Sequence, residues 1–156
     1  MRVLWLCNMV PGRVIGEHGK GLWMDHVLDG MLRLGITVHV LGRGTKAASG
    51  TPEEGLSYTA FEEPVPYLYY PELEQRFVAE LKAFQPDVIL CHHLYFLAAL
   101  AKGQFPDIPV YGQCHGSDLR QIRKNSWQRE WILSQIPKLD GFFALHGQQK
   151  AALCQT

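Results

Sequence analysis

The sequence has no surplus of charge of either sign. Fifteen basic residues balance fifteen acidic ones. No global field therefore draws the chain toward nucleic acid or a membrane, and any such attraction must come from a local patch. There are only four cysteines, Cys7, Cys91, Cys114 and Cys154, and no CxxC pair among them. This excludes a disulfide framework and points to reduced thiols in a cytoplasmic protein. No apolar run is long enough to span a bilayer. The first residues, MRVLWLCNMV, carry one charge and a short apolar run, but no Ala-x-Ala-like cleavage site follows, so they are not read as a signal peptide. GxGxxG and GxxxxGK[ST] are both missing, which excludes a dinucleotide fingerprint and a Walker loop. Internal repeats, low-complexity tracts and long linkers are absent as well.

What remains is an ordinary globular composition, 47% hydrophobic and 19% charged, in a chain of 156 residues. That length suits one domain with a real core. Strand-like and helix-like segments alternate throughout. RVLWLC is a short apolar run typical of a buried parallel strand, and a glycine-rich loop follows it. LWMDHVLDGMLRLG has helical periodicity, with Trp23, Val27, Met31 and Leu34 at helical spacing, Met24, Leu28 and Leu32 beside them, and Gly35 as its stop. ITVHVLG is a strand rich in β-branched residues. Residues 43 to 55 are small and polar and read as a loop, LSYTAF as a short strand, and the proline-rich residues 62 to 71 as irregular. PELEQRFVAELKAF is helical, with Pro71 at its first position and Leu73, Phe77, Leu81 and Phe84 on one face. QPDVILC, IPVYGQC and GFFALH are further strands. HGSDLRQIRKNSWQREWILSQI reads as one long helix ended by Pro137. The order predicts an α/β fold, a Rossmann-like doubly wound parallel sheet flanked by helices.

In such sheets ligands bind outside the carboxyl ends of the strands. The polar residues collect at those ends. The first strand leads into Asn8, Gly16, His18, Gly19, Lys20 and Gly21, the DVILC strand into His92 and His93, the PVYGQC strand into His115, Gly116, Ser117 and Asp118, and GFFAL into His146. Five of the seven histidines lie at this edge, a clustering that core packing does not require. The glycine loop before a helix offers backbone N–H groups to an anion, or is simply a flexible turn. Cys91, His92, His93, Cys114 and His115 have the chemistry of metal ligands, but adjacent strand residues point to opposite faces, so no metal site is expected. A Cys114 nucleophile with His92 as base is a further reading, weighed against a thiol that merely packs. Asp118 is a helix cap or a ligand. His115 is expected to be functional, because a tight turn at the ligand edge has no structural need of imidazole.

Five segments in order carry a resemblance: MRVLWLCN, GKGLWMDHVLDGMLRLGITVHVLG, PDVILCHHLYFLAALA, IPVYGQCHGSD and KLDGFFALHGQQKAAL. Together they resemble the N-terminal domain of GT-B fold glycosyltransferases of the group 1 or family 4 type. The resemblance implies that Gly19, Lys20 and Gly21, with Gly116, lie against the donor's diphosphate and sugar. It implies catalytic roles for His115, near the reacting carbon of the donor sugar, and for Asp118, which shapes the acceptor side. It places His92, His93 and His146 in the acceptor cleft. It implies transfer of a hexose-type sugar from a nucleotide-sugar, with retention, without a metal and without a cofactor. The chain departs from the family pattern where Lys20 separates the two glycines, where Ile36-Thr37 replaces the usual continuation of Gly-His, and where His146 replaces a serine.

In that family the nucleotide-sugar sits mainly on a second domain with an E-x7-E motif. Glu54 to Glu62 and Glu72 to Glu80 have the spacing but follow no suitable strand. The expectation is therefore that residues 1–156 are the acceptor-side half of a two-domain enzyme, inactive alone, with a saccharide or lipid-linked acceptor and no nucleic-acid partner. The segment from 118 to 136 sets Arg120, Arg123, Lys124 and Arg129 against Trp127, Trp131, Ile132 and Leu133. Such a helix can make a weak contact with the inner membrane face, but zero net charge favours a solvated charged face. The alternatives are a sugar-nucleotide epimerase of the same architecture, which would use carboxylate pairs where this edge has histidines, and a non-catalytic Rossmann-like binding module.

Overall fold

The computed structural model describes residues 1–16, 22–62, 71–94, 98–124 and 126–155. Seven strands form one sheet: β1 (Arg2–Cys7), β2 (Thr37–Gly44), β3 (Ala48–Glu53), β4 (Leu56–Glu62), β5 (Val88–Cys91), β6 (Val110–Cys114) and β7 (Gly141–Ala144). Their spatial order is β3-β4-β2-β1-β5-β6-β7, and every pairing except β3 with β4 is parallel. The helices are α1 (Leu22–Arg33), α2 (Pro71–Phe84), α3 (Ala98–Gln104), α4 (Gly116–Lys124), α5 (Ser126–Gln135) and α6 (Gly147–Cys154). This is the expected doubly wound arrangement.

The central strand β1 is buried on both faces, which is why its sequence is apolar without alternation. Leu4 and Leu6 pack with Leu41, Ile89 and Leu81 in one core layer. Trp5 and Cys7 pack with Val38, Val40, Met24 and Leu28 in the other. Chain order reverses between β2-β1 and β1-β5, so a crevice is expected outside the carboxyl ends of β1 and β5. Gly42 allows the close approach of β2 at that edge. A Cβ there would stand 2.5 Å from the Cys7 carbonyl oxygen.

Two local expectations change. Residues 48–53, read as loop, form β3. It is an exposed edge strand without apolar alternation, held by its antiparallel hydrogen bonds to β4 around a turn at Gly55, whose φ is +79°. The core side of α1 is Met24 and Leu28, not Trp23 and Leu34, which are 39% and 78% exposed. The helical stretch is described as α4 and α5, on either side of position 125, which lies outside the described residues. Its cations Arg120, Arg123, Lys124 and Arg129 are exposed, Ile132 is buried, and Trp131 is 42% exposed; the side chain of Trp127 lies outside the described residues. Gly35 does end α1 with φ +70°. The Ile36 N–H bonds the Met31 carbonyl at 3.1 Å and the Gly35 N–H bonds the Leu32 carbonyl at 2.9 Å, a Schellman cap.

One buried histidine belongs to the core and not to the ligand edge. His39 on β2 is 8% exposed, lies 5.2 Å from the Phe84 ring, and pairs its Nδ1 with Ser57 Oγ at 2.8 Å. Burial lowers its pKa to about 4. The unfolded chain, with an ordinary value near 6.5, binds the proton first as pH falls. Stability from a neutral His39 is thus complete above about pH 6.5 and is lost on acidification toward pH 4, by ~2 kcal/mol between pH 8 and pH 5. Urea unfolding of the wild type and of His39→Gln at the two pH values checks this. The wild type should lose more stability than the variant, and equal losses would contradict it.

Candidate functional site

The site is built on one buried carboxylate. β6 ends at Cys114, His115 is the N-cap of α4, and Asp118 is its third residue. Asp118 is 0% exposed. Its Oδ2 accepts the His115 backbone N–H at 2.8 Å, and its backbone N–H bonds the His115 carbonyl at 3.0 Å. This is the back-reaching half of a capping box. Its Oδ1 pairs with His93 Nδ1 at 2.6 Å. A carboxylate only accepts, so His93 carries a proton on Nδ1 and its ring orientation is fixed. One side chain therefore ties the end of β5 to the start of α4.

Around that tie three imidazoles gather. Ring centroids are 4.3 Å apart for His92 and His115, 4.7 Å for His93 and His115, and 5.2 Å for His92 and His93. The His92 N–H continues the sheet by bonding the Leu6 carbonyl at 2.8 Å, which sets the cluster at the β1/β5 switch point. Trp5 backs His92 at 6.0 Å. Trp23, from the first turn of α1, lies 5.7 Å from His92 and 5.9 Å from His115. Burial lowers the pKa of His92 to about 3, with help from the charge that His115 and His93 would carry. The pKa of His115 is lowered by burial and by His93, against an opposing pull from Asp118. Both rings are neutral near pH 7, and neutral imidazole both donates and accepts hydrogen bonds. Both nitrogens of His92 and Nε2 of His115 are buried and have no partner among the described residues. Groups of that kind are costly to leave unpaired, so the arrangement suits a ligand with hydroxyls.

The family model for Glycosyltransferase Family 4 matches residues 19–156. The chain belongs to Glycosyltransferase Family 4. No curated protein matches it in sequence. Among solved structures it is similar to a trehalose-6-phosphate structure from E. coli bound with UDP-2-fluoro glucose, at TM-score 0.64 and 10% identity over 99% of this chain and 42% of that one. It is also similar to an alpha,alpha-trehalose-phosphate synthase (UDP-forming) from Burkholderia vietnamiensis, at TM-score 0.62 and 13% identity over 97% of this chain and 41% of that one. At such identities the likeness is one of fold, and the chain spans about two fifths of the length of those structures. Family and fold together make it an N-terminal glycosyltransferase domain of the GT-B type.

Within this family member the residues singled out by sequence divide into groups. His92, His93, His115 and Asp118 come together. Gly116 is the exposed first residue of α4, beside His115. His146 stands apart as the exposed N-cap of α6, its Nδ1 accepting the Gln149 N–H at 3.3 Å. His18, Gly19, Lys20 and Gly21 lie outside the described residues. Cys114 is buried, its Sγ 3.8 Å from the His115 carbonyl oxygen. Burial and then the Asp118 charge push its thiol up to about 12, the opposite of what an activated nucleophile needs. Among the described residues no three of the His, Cys, Asp and Glu side chains are grouped to hold a metal ion.

Two features escaped the sequence reading. Trp23 is noted in the sequence only for its helical spacing, although its place in the first turn after a glycine loop at the ligand edge is a usable signal. Arg43, 6% exposed, reaches back from β2 so that its Nε donates to the Asn8 carbonyl at 2.8 Å and its Nη2 to Asn8 Oδ1 at 2.5 Å. It fixes the exit of β1 toward the site.

Removing the Asp118 carboxylate strands two buried donors at once. Asp118→Ala should cost about 1–3 kcal/mol of stability, the penalty of unpaired buried groups. Asp118→Asn keeps one acceptor and should cost less. Denaturant midpoints check the order, and equal losses for the two variants would contradict it.

Proposed function

We propose that this chain is the acceptor-side domain of a retaining, metal-independent glycosyltransferase that moves a hexose-type sugar from a nucleotide-sugar to a saccharide or lipid-linked acceptor. The observation that carries the reading is the neutral histidine cluster at the switch point of the sheet, with buried ring nitrogens left for a polar ligand. The UDP-2-fluoro glucose bound in the similar E. coli structure supports the donor class. On this reading His115 contacts the donor sugar near the reacting carbon, and Asp118 holds His115 and His93 in place. His92 and His93 line the acceptor side. Gly19, Lys20, Gly21 and Gly116 bring backbone N–H groups toward the diphosphate. His146 caps its helix and is given no part in the cleft. The nucleotide is held by a second domain, so the 156-residue chain transfers no sugar by itself. The enzyme works in the cytoplasm.

The test is sugar transfer by the full-length enzyme carrying His115→Ala. Losing one preorganised polar contact to the reacting sugar should lower kcat/KM by about 100- to 1,000-fold. Turnover equal to wild type would overturn the assignment. The pH profile supplies a second check. His115 must be neutral to accept a proton from a hydroxyl, and its pKa is lowered. Activity should therefore persist on acidification below pH ~6.5, the ordinary histidine value. A wild-type acid limb at or above that value, missing in the variant, would contradict it.

A further inference from the structure

The cleft contains one large side chain that neither the sequence pattern nor the family explains. We infer that Trp23 determines acceptor specificity: its indole, leaning over the imidazole of His92, forms an open-sided platform for the ring of an acceptor pyranose. This rests on the glycosyltransferase reading and adds the substrate class that the acceptor side takes.

The geometry is that of a platform. Trp23 is 39% exposed although it touches two other rings, so much of its indole is open to a ligand. It meets His115 edge to face at 88° and leans over His92 at 35°. His92 is supported from behind by Trp5, which is only 2% exposed. Trp23 therefore rests on a rigid wall, while Met24 and Leu28 of the same helix hold α1 in the core. An indole that only filled the core would be covered, as Trp5 is.

The chemistry of the wall selects the ligand. A pyranose has a patch of C–H groups on a face and hydroxyls around its rim. The indole offers a flat apolar surface to the former. His92 Nδ1 and Nε2, both buried and without a partner among the described residues, offer hydrogen bonds to the latter. The described groups that face one another here are His92, His93, His115 and Asp118, together with the two indoles. Trp23 and His92 thus offer a flat face and hydrogen-bonding groups side by side, as a pyranose ring requires.

The experiment uses the full-length enzyme and a panel of methyl pyranosides of glucose, galactose and mannose, each beside the corresponding 6-phosphate. Binding is read by saturation-transfer NMR and, for any pyranoside that accepts sugar, by the division of the effect between KM and kcat. Trp23→Ala should weaken the best pyranoside about 10-fold, the size of one aromatic contact, with the change in KM. Trp23→Leu keeps an apolar side chain for folding and should weaken it similarly, whereas Trp23→Phe should restore affinity to within about 3-fold of wild type. A purely structural Trp23 would instead lower the melting temperature and leave KM in place. Unchanged affinity in the Leu variant, or no binding of any pyranoside of the panel, would overturn the proposal. Consumption of nucleotide-sugars by the wild type is measured separately. Its absence would overturn the glycosyltransferase reading, whereas its presence with an unaffected Leu variant would overturn only the role of Trp23.

Discussion

The Asp118 carboxylate joins segments that the chain keeps 25 residues apart, taking the His115 N–H with one oxygen and His93 Nδ1 with the other. It is fully buried, so water cannot substitute for either partner, and an unpaired buried carboxylate would be strongly unfavourable. The two bonds make burial tolerable, and each then does a second thing. The first fixes how β6 turns into α4 and so where the His115 ring stands. The second fixes the proton and orientation of His93. His115 and His93 are in turn the rings that His92 packs against.

The parallel sheet makes that arrangement accessible. β5 and β6 are adjacent and parallel, so their carboxyl ends deliver His92, His93 and His115 to one edge. The reversal of strand order at β1 opens the crevice beside them, and α1 enters from the other side with Trp23. Burial, and after it the neighbouring imidazoles 4 to 5 Å away, keep His92 and His115 uncharged, because a charged ring is unfavourable in a poorly solvated place and more so beside a second positive charge. The edge thus presents hydrogen-bonding groups of either polarity beside an aromatic face.

Much of this was legible from composition and spacing. Short apolar runs with no alternation marked β1, β5 and β6, since both faces of a central parallel strand are covered. The histidines at their ends marked the edge. Asp118 was open between cap and ligand, and the structure shows it capping from the third helical position while also holding His93, a contact no local pattern encodes. β3 was missed because an exposed edge strand needs no apolar alternation and is held by backbone bonds alone. Trp23 was not singled out because helical spacing reports only which residues share a face: Val27 and Met31 of that stripe pack against the core, while Trp23 and Leu34 at its two ends are open. The burial that lowers the pKa values of His92 and His115 depends on neighbours from four segments and has no one-dimensional signature.

The central claim is that sugar chemistry takes place against the Asp118-anchored histidines. A crystal structure of the full-length enzyme with nucleotide-sugar and acceptor tests it most directly. The account predicts a sugar hydroxyl within hydrogen-bond distance of His115 Nε2 and another within reach of His92, with Asp118 still bonded to His93 and to the His115 N–H. Donor and acceptor both seated away from these rings, with the His92 and His115 nitrogens still unpartnered, would contradict it.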